Sequence, residues 1–554
     1  MKKKKILSIL LCAVLIFAMV ACNKENARDT SPDASSSPES SAPSGESSAP
    51  PSTSVSVAPP PSNPGTSEAP PAAPERDTVN IAISSDQGTL DSVFHGPTDY
   101  FRILCCIQET LWEILDDGTI EWVLATGYDV ISDTQWIVHL REGVTFSNGN
   151  PFTAQDVVFS FKYLRDSGSM WGPAKTPSVD IDNWVVIDDY TLDMRMPGFH
   201  VEHPLLISDI LIYDEESFDP EEASINPIGT GPYVLTDYVV NSYCTLERRD
   251  DYWGGMPKTK TLKFRVLAEP SQVINALETG MIDVCIVATQ DYEYVNNMPG
   301  MSVFGRYAPN WSSIGYNHEE PSIFQNVDAR HAICYAINKE AIINLVYDGM
   351  ARPMTYPNSI VNFDYEERFS YSHPTYSIGY DLDVAREYAE KAGLVGQEVV
   401  LMTAGSSTDV MLAEILQSML SEIGIIVTIH NYDGAGFDAA GRDPTAWDMR
   451  LMTGICPVHV TVSPLVNGVR YVPQRQTGWE GADFLMENGL RAQTDPDPEV
   501  RSELTWQIIQ VYQEGCLDYA IAEIQQLVAH SSDLAGLRFK ATMGLRFQDL
   551  YFAS

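Results

Sequence analysis

Basic residues are scarce in this chain. Its 554 residues carry 35 Lys and Arg against 75 Asp and Glu, a formal net charge of −40. That balance excludes nucleic acid as a partner, because a phosphate backbone demands clustered Lys and Arg. It also leaves the folded part no basic patch for anionic lipid. Cysteine is sparse too: nine, with no Cys-x-x-Cys pair, which argues against a structural zinc site or a disulfide framework. Catalytic signatures are missing as well. There is no Gly-x-Ser-x-Gly, no His-Glu-x-x-His and no Walker loop. "HVEH" at His200–His203 is crowded by Pro197 and Pro204 and has no evident third metal ligand. Glu221 and Glu222 sit beside a proline in a polar stretch and read as a solvated loop. No cofactor, metal or reaction is expected.

Long apolar runs are absent except at the start. "MKKKK" is a basic leader, and "ILSILLCAVLIFAMVA" is an apolar run short of the ~20 residues a comfortable span needs. It closes on "MVAC". This resembles a bacterial lipoprotein signal, with Met19 where leucine is usual. The resemblance implies a signal peptide at 1–21 and a lipid-modified Cys22 that holds the protein on the extracytoplasmic face of the cell membrane. Residues 22–77 follow as a tether. From about Asn26 to Asp77 the chain is Ser, Pro, Ala and Glu, with too little apolar side chain to offset the entropy of ordering. Once Cys12 and Cys22 are set aside, seven scattered cysteines remain and read as small buried hydrophobes.

Beyond Thr78, strand and helix patterns alternate, with hairpins among them. "TVNIAIS" alternates like a buried strand. "YFRILCCIQETLWEIL" places Phe101, Leu104, Ile107, Leu111 and Ile114 at helical spacing. "TQWIVHLREGVTFSNGNPF" reads as strand, turn, strand. "TAQDVVFSFKYLRD" reads as a helix capped by Thr153. "VDARHAICYAINKEAIINLVYDG" reads as two helices meeting near Asn338. "EVVLMTA", "DVMLAEILQSMLSEIG" and "IIVTIHNY" make a β-α-β unit. The pattern predicts α/β lobes with a cleft between them, where small-molecule pockets usually form.

Four segments in order carry a more specific resemblance. They are "WIVHLREGVTFSNGNPFTAQDVVFSF", "IGTGPYVL…LERRDDYWGGMPK…LKFRVLAEPSQVINALETGMIDV", "NVDARHAICYAINKEAIINLVYDGMARP" and "YDLDVAREYAEKAGL". Together the chain resembles the extracellular solute-binding proteins of ABC transporters, family 5, which includes oligopeptide- and dipeptide-binding members. The resemblance implies an α/β, two-lobed periplasmic-binding-protein-like fold of the class II type, with an inserted domain and a hinge. Lobe I is expected from 78–116, 220–305 and 526–554, the inserted domain from 117–219, and lobe II from 306–525. It also implies a monomer that takes a peptide or small-molecule solute in its cleft. The ABC permease and ATPase subunits would be separate chains. An oligosaccharide, a metal chelate or a signalling peptide is the alternative solute on the same fold.

"IGTGPY" is the obvious nucleotide-loop candidate, but Gly229 and Gly231 run into Pro232 and a strand, and no Lys follows. It reads as a tight crossing where glycine opens backbone angles closed to other residues. Three segments are implied to line the cleft. "SSDQGTLDS" offers Asp86 and Gln87, although Asp86 reads equally well as a turn residue beside Gly88. "APNWSSIGYN" offers Trp311 for stacking, equally a core or hinge aromatic, and Ser312 for hydrogen bonding. "WDMRLMTGICPVHV" offers Thr453, Gly454, Ile455 and Cys456. Peptide-binding relatives carry a Gly-Trp-x-x-Asp pattern in this third segment. Here the tryptophan position falls on Gly454 and the aspartate position on Pro457, so the acid that would pair with a free amine is absent.

Overall fold

A computed structural model describes residues 76–553. It omits residues 87, 96–98, 170, 177–178, 355–358, 360, 370–377, 433, 456–460, 464, 466–479 and 542–543. All described residues belong to the unit Ala72–Ser554.

The first strand, β1 (Thr78–Ile83), buries Val79, Ile81 and Ile83 and leaves the residues between them half-buried. Strands β2 (Trp112–Ile114) and β3 (Ile120–Trp122) pair with each other. A four-stranded antiparallel sheet follows: β4 (Ala125–Ser132), β5 (Gln135–Leu140), β6 (Val185–Asp188) and β7 (Thr191–Arg195), in the order β4-β5-β7-β6. The helix Ala154–Asp166 packs Val157, Phe161 and Leu164 into the core shared with this sheet. It starts at Thr153, whose N–H donates to Asp156 Oδ2 at 2.7 Å, closing the first turn.

Ten further strands join β1 in one eleven-stranded sheet. They are β8 (Tyr233–Val239), β9 (Tyr243–Arg248), β10 (Thr261–Val266), β11 (Val284–Val287), β12 (Met301–Tyr316), β13 (Ala351–Pro353), β14 (Glu398–Thr403), β15 (Ile426–Asn431), β16 (Met449–Ile455) and β17 (Asp518–Ser531). The order is β15-β14-β16-β12-β17-β11-β1-β10-β9-β8, with β13 also on β17. One end, around β1, β9 and β10, packs over a core of Val79, Ile81, Phe101, Leu246 and Phe264. The other end carries the parallel β14–β15 pair, whose connecting helix Ser407–Ser421 buries Leu412, Leu416 and Leu420 in a separate core.

The two cores are joined through β12 and β17, which at 16 and 14 residues are the longest strands. Their antiparallel register slips midway. Tyr307 faces Gln525 and Trp311 faces Glu523, so four steps on β12 match two on β17. The two extra residues form a bulge that bends the shared ribbon between the lobes. Pro309 sits inside it, where no ladder N–H is needed.

Two local expectations are corrected. The apolar run from Phe101 gives a helix only to Leu104 (Asp99–Leu104), and Trp112–Ile114 is a strand. Every residue from Phe101 to Ile114 is buried, so apolar spacing there marks no single helical face. In "GVTFSNGN" the turn forms, with Gly149 at φ +94°, but it is flanked by the single bridge Thr145–Pro151 rather than a second strand.

The reason for the "IGTGPY" glycines also differs. Neither Gly229 nor Gly231 has a positive φ. A Cβ on Gly229 would lie 2.1 Å from the Ile107 carbonyl oxygen, and one on Gly231 would lie 2.7 Å from that of Cys106. Gly231 N donates to Ile107 O at 2.8 Å and Tyr233 N to Cys106 O at 3.0 Å. The glycines supply room for two backbones to touch, not unusual backbone angles.

Candidate functional site

At the bulge, four strands bring four residues into one row. Gly454 on β16 faces Trp311 on β12, Trp311 faces Glu523 on β17, and Glu523 faces Arg352 on β13. Directly paired residues of antiparallel strands project from the same sheet face. Trp311 and Arg352 therefore flank Glu523 on a common sheet face.

Glu523 is the floor of this row, with 1% of its side chain exposed. Its carboxylate accepts from Arg352 and from the Ser359 hydroxyl. Burial pushes its pKa up, and the Arg352 charge and the Ser359 bond pull it back. Arg352 lies further forward, 23% exposed, with its guanidinium 3.9 Å over the Tyr307 ring. An arginine held between a carboxylate and an aromatic face is a fixed, pre-oriented donor.

Ser312, fully buried, faces Thr453 in register one position along. The Thr453 hydroxyl donates to Asp409 Oδ1 at 2.9 Å. Ile455 pairs with Asn310 through the backbone. The structure thus brings Trp311, Ser312, Thr453, Gly454 and Ile455 together. Asp86 lies apart from them, with its carboxylate committed elsewhere. It accepts from Gly88 N at 2.7 Å, from Asn241 N at 2.7 Å and from the Tyr238 hydroxyl at 3.0 Å, tying the loop after β1 to the β8–β9 hairpin. Gln87, Cys456 and Cys22 lie outside the described residues.

Sequence reading missed Arg352, Glu523 and Tyr307. Glu523 left a signal: it is the single acid in "YAIAEIQQLVAH", the run of β17 after Asp518, where it is flanked by Ala522 and Ile524. A carboxylate inside a buried strand demands a partner.

The elements on either side of the row touch. Val361, two residues past Ser359, packs against the core of the four-stranded sheet. The Phe363 ring abuts Gly118. Val201 N donates to Gln493 O at 2.9 Å. A separate cavity of about 540 Å³ lies between Trp253, Tyr252, Trp122 and the C-terminal segment around Arg546. None of its walls comes from β12, β13, β16 or β17, and its charges are internally matched. Glu113 pairs with Lys540 and Arg546, and Arg546 with Asp549. Its floor holds Glu109, whose carboxylate accepts from the Tyr252 hydroxyl at 2.6 Å and Trp253 Nε1 at 2.8 Å. Burial pushes that carboxyl up to about 7 against those bonds. Among the described residues, no group of three His, Cys, Asp or Glu is placed to hold a metal ion, and no helix is long and apolar enough to cross a membrane.

The family model for bacterial extracellular solute-binding proteins, family 5, matches residues 119–460, more than half of the chain. The chain belongs to this family. Members of family 5 are extracytoplasmic binding proteins of ABC transporters, not enzymes. A putative ABC transporter peptide-binding protein of Brucella ovis is 25% identical over 352 residues, 60% of this chain and 63% of the relative. The chain therefore spans just under two thirds of that relative's length. The nickel-binding periplasmic protein of Escherichia coli is 24% identical over 66% of this chain and 73% of its own. Among solved structures, DppA from Helicobacter pylori in complex with the peptide STSA has a TM-score of 0.74 at 22% identity, covering 86% of this chain and 98% of DppA. AppA from Bacillus subtilis in complex with a nonapeptide has a TM-score of 0.73 at 17% identity, covering 87% of this chain and 99% of AppA. At these identities the likeness establishes the fold: two-lobed, α/β and periplasmic-binding-protein-like.

Proposed function

We propose that this family 5 protein is a lipid-anchored receptor that captures a peptide or peptide-sized solute between its lobes and hands it to an ABC importer. The observation that carries the reading is the row Gly454–Trp311–Glu523–Arg352 at the bulge of the two lobe-joining strands. A half-buried aromatic beside a fixed guanidinium, at the point where the ribbon bends, lets solute contact and lobe closure favour each other. The division into lobe I (78–116, 220–305, 526–554), an inserted domain (117–219) and lobe II (306–525) fits the separate cores. Cys22 is the anchor, the protein acts as a monomer, and the permease and ATPase are other chains. Peptide-binding and nickel-binding relatives match at nearly the same identity, so the solute class is decided by experiment.

Mass spectrometry of the small molecules released when the purified protein is denatured tests the reading. Released peptides, or melting raised by peptides, support it. At ~100 times its dissociation constant a solute stabilises the folded state by about 2.7 kcal/mol. A released sugar, metal chelate or signalling peptide moves the protein to the alternative solute. No released solute and no stabilisation by any of these classes refutes capture. Loss of membrane association in Cys22→Ser tests the anchor.

A further inference from the structure

We propose that Arg352 is the solute-recognising cation of the cleft, and that the solute presents a carboxylate to it. The inference rests on the solute-binding reading and adds what the solute must carry.

A guanidinium offers two edges on which a carboxylate forms two parallel hydrogen bonds. Glu523 takes the Nε/Nη2 side of Arg352. Nη1 has no hydrogen-bond partner among the described residues, whereas Nη2 is buried against Glu523. Leaving such donors unmet is costly. Glu523 is sealed at 1% exposure while the Arg352 side chain is 23% exposed, so the accessible member of the pair is the arginine, not the carboxylate. The Tyr307 ring at 3.9 Å holds the fork flat.

The neighbouring acids give the complementary argument. Glu523 is occupied by Arg352 and Ser359. Asp409 accepts from Thr453, and Asp86 accepts three bonds from its own loop and the hairpin. A cationic solute finds none of these carboxylates open, whereas an anionic one finds the Nη1 end of a pre-oriented guanidinium on the same sheet face as the half-buried Trp311. The planar fork suits a carboxylate, and the indole offers an apolar surface for whatever adjoins it. Glu523 acts as a positioning residue that fixes the fork.

Three probes separate the charges: N-acetyl-trialanine (carboxylate, no amine), its C-terminal amide (neither), and free trialanine (both). Titration calorimetry on the full chain is expected to show the acid binding at least tenfold tighter than the amide. Arg352→Gln should lower affinity for the acid at least tenfold and bring the acid-to-amide ratio close to one. Arg352→Lys, which keeps charge without the fork, should fall between. Equal binding of acid and amide to the wild type overturns the proposal, as does a preference that survives in Arg352→Gln. Circular dichroism and melting check that the variants fold; if Arg352→Gln does not, the wild-type acid-to-amide ratio decides. Solutes released from the native protein that carry no carboxylate also overturn it. Silence of all three probes together with no released solute refutes solute binding itself, whereas binding without discrimination refutes only the role of Arg352.

Discussion

Replacing Gly229 by alanine tests the argument that "IGTGPY" is a backbone contact. The added Cβ would lie 2.1 Å from the Ile107 carbonyl oxygen, and real Cβ contacts essentially never fall below 3.0 Å. The two segments must therefore part by roughly 0.9 Å, the difference between those two distances. The bonds Gly231 N to Ile107 O and Tyr233 N to Cys106 O, at 2.8 and 3.0 Å, would then stretch beyond hydrogen-bond range. Arg249, buried and bonded through its guanidinium to the carbonyls of Gly229, Gly231 and Phe146, is strained by the same movement. Overpacking costs about 1–3 kcal/mol, and each buried backbone group left unpaired adds about 1–3 kcal/mol. The expected loss is about 3–6 kcal/mol, read by urea denaturation followed through tryptophan fluorescence. Gly127→Ala is the control, since a Cβ there meets nothing within 4 Å, and it should stay within about 0.5 kcal/mol of wild type. A Gly229→Ala protein as stable as that control would refute the close-contact account.

Glu109 makes stability depend on pH. Its carboxyl is pushed up to about 7 from an ordinary 4.5, so between those values the unfolded chain releases a proton that the folded protein keeps. Stability from this group is therefore fully present below pH 4.5 and declines as pH rises toward 7, by about 2–3 kcal/mol between pH 5 and 8. Comparing urea denaturation of wild type and Glu109→Gln at both pH values should show the variant gaining that much relative to wild type at pH 8; an unchanged difference would contradict it. Glu113→Ala leaves Lys540 and Arg546, both under 10% exposed, without their shared carboxylate. The expected cost is about 3–5 kcal/mol, partly recovered by adding Lys540→Met; a change under about 1 kcal/mol would show that Glu121 and Asp549 suffice for Arg546.

The parts of the fold that were legible are those with one buried face. The β14-helix-β15 unit, the helix after Thr153 and the two helices meeting at Asn338 each set apolar residues against polar ones at a fixed period. Asn338 caps the second helix by accepting from Ala341 N at 2.9 Å. The stretch Phe101–Ile114 was illegible as a mixture of helix and strand because it is buried on all sides, and a period needs a contrast. β12 was legible only as a cleft segment. Its Gly305, Pro309 and Asn310 disguise a 16-residue strand, and the bulge that tolerates Pro309 follows from pairing with β17, more than 200 residues away in sequence. The site divided on the same principle. Trp311, Ser312 and Thr453–Ile455 came from segments that the family resemblance marked, and are brought together across β12 and β16. Asp86 had two local readings, and its hydrogen bonds are those of a loop tie. Arg352 and Glu523 acquire meaning only through β13–β17 register, which no local pattern encodes.

Scarcity of basic residues gives Arg352 its weight. The buried cations of this chain are mostly spent on architecture. Arg330 donates to the carbonyls of Gly515, Phe324 and Gln325. Lys339, its pKa lowered by burial to about 7, donates to Met354 O and Ala520 O. Lys540 and Arg546 share Glu113. In each case the donors end on partners within the fold. Arg352 sets Nε and Nη2 against Glu523 and has no partner for Nη1 among the described residues, with its carboxylate partner on the buried side. Swapping it for a neutral residue would leave Glu523 buried with only the Ser359 hydroxyl, which raises its pKa further rather than opening it to a cationic solute. The pair is therefore polarised in one direction. In a chain of net charge −40, where charges further apart than about 8–10 Å are largely screened at physiological salt, the sign of the solute is decided locally, by the guanidinium whose Nη1 has no partner among the described residues.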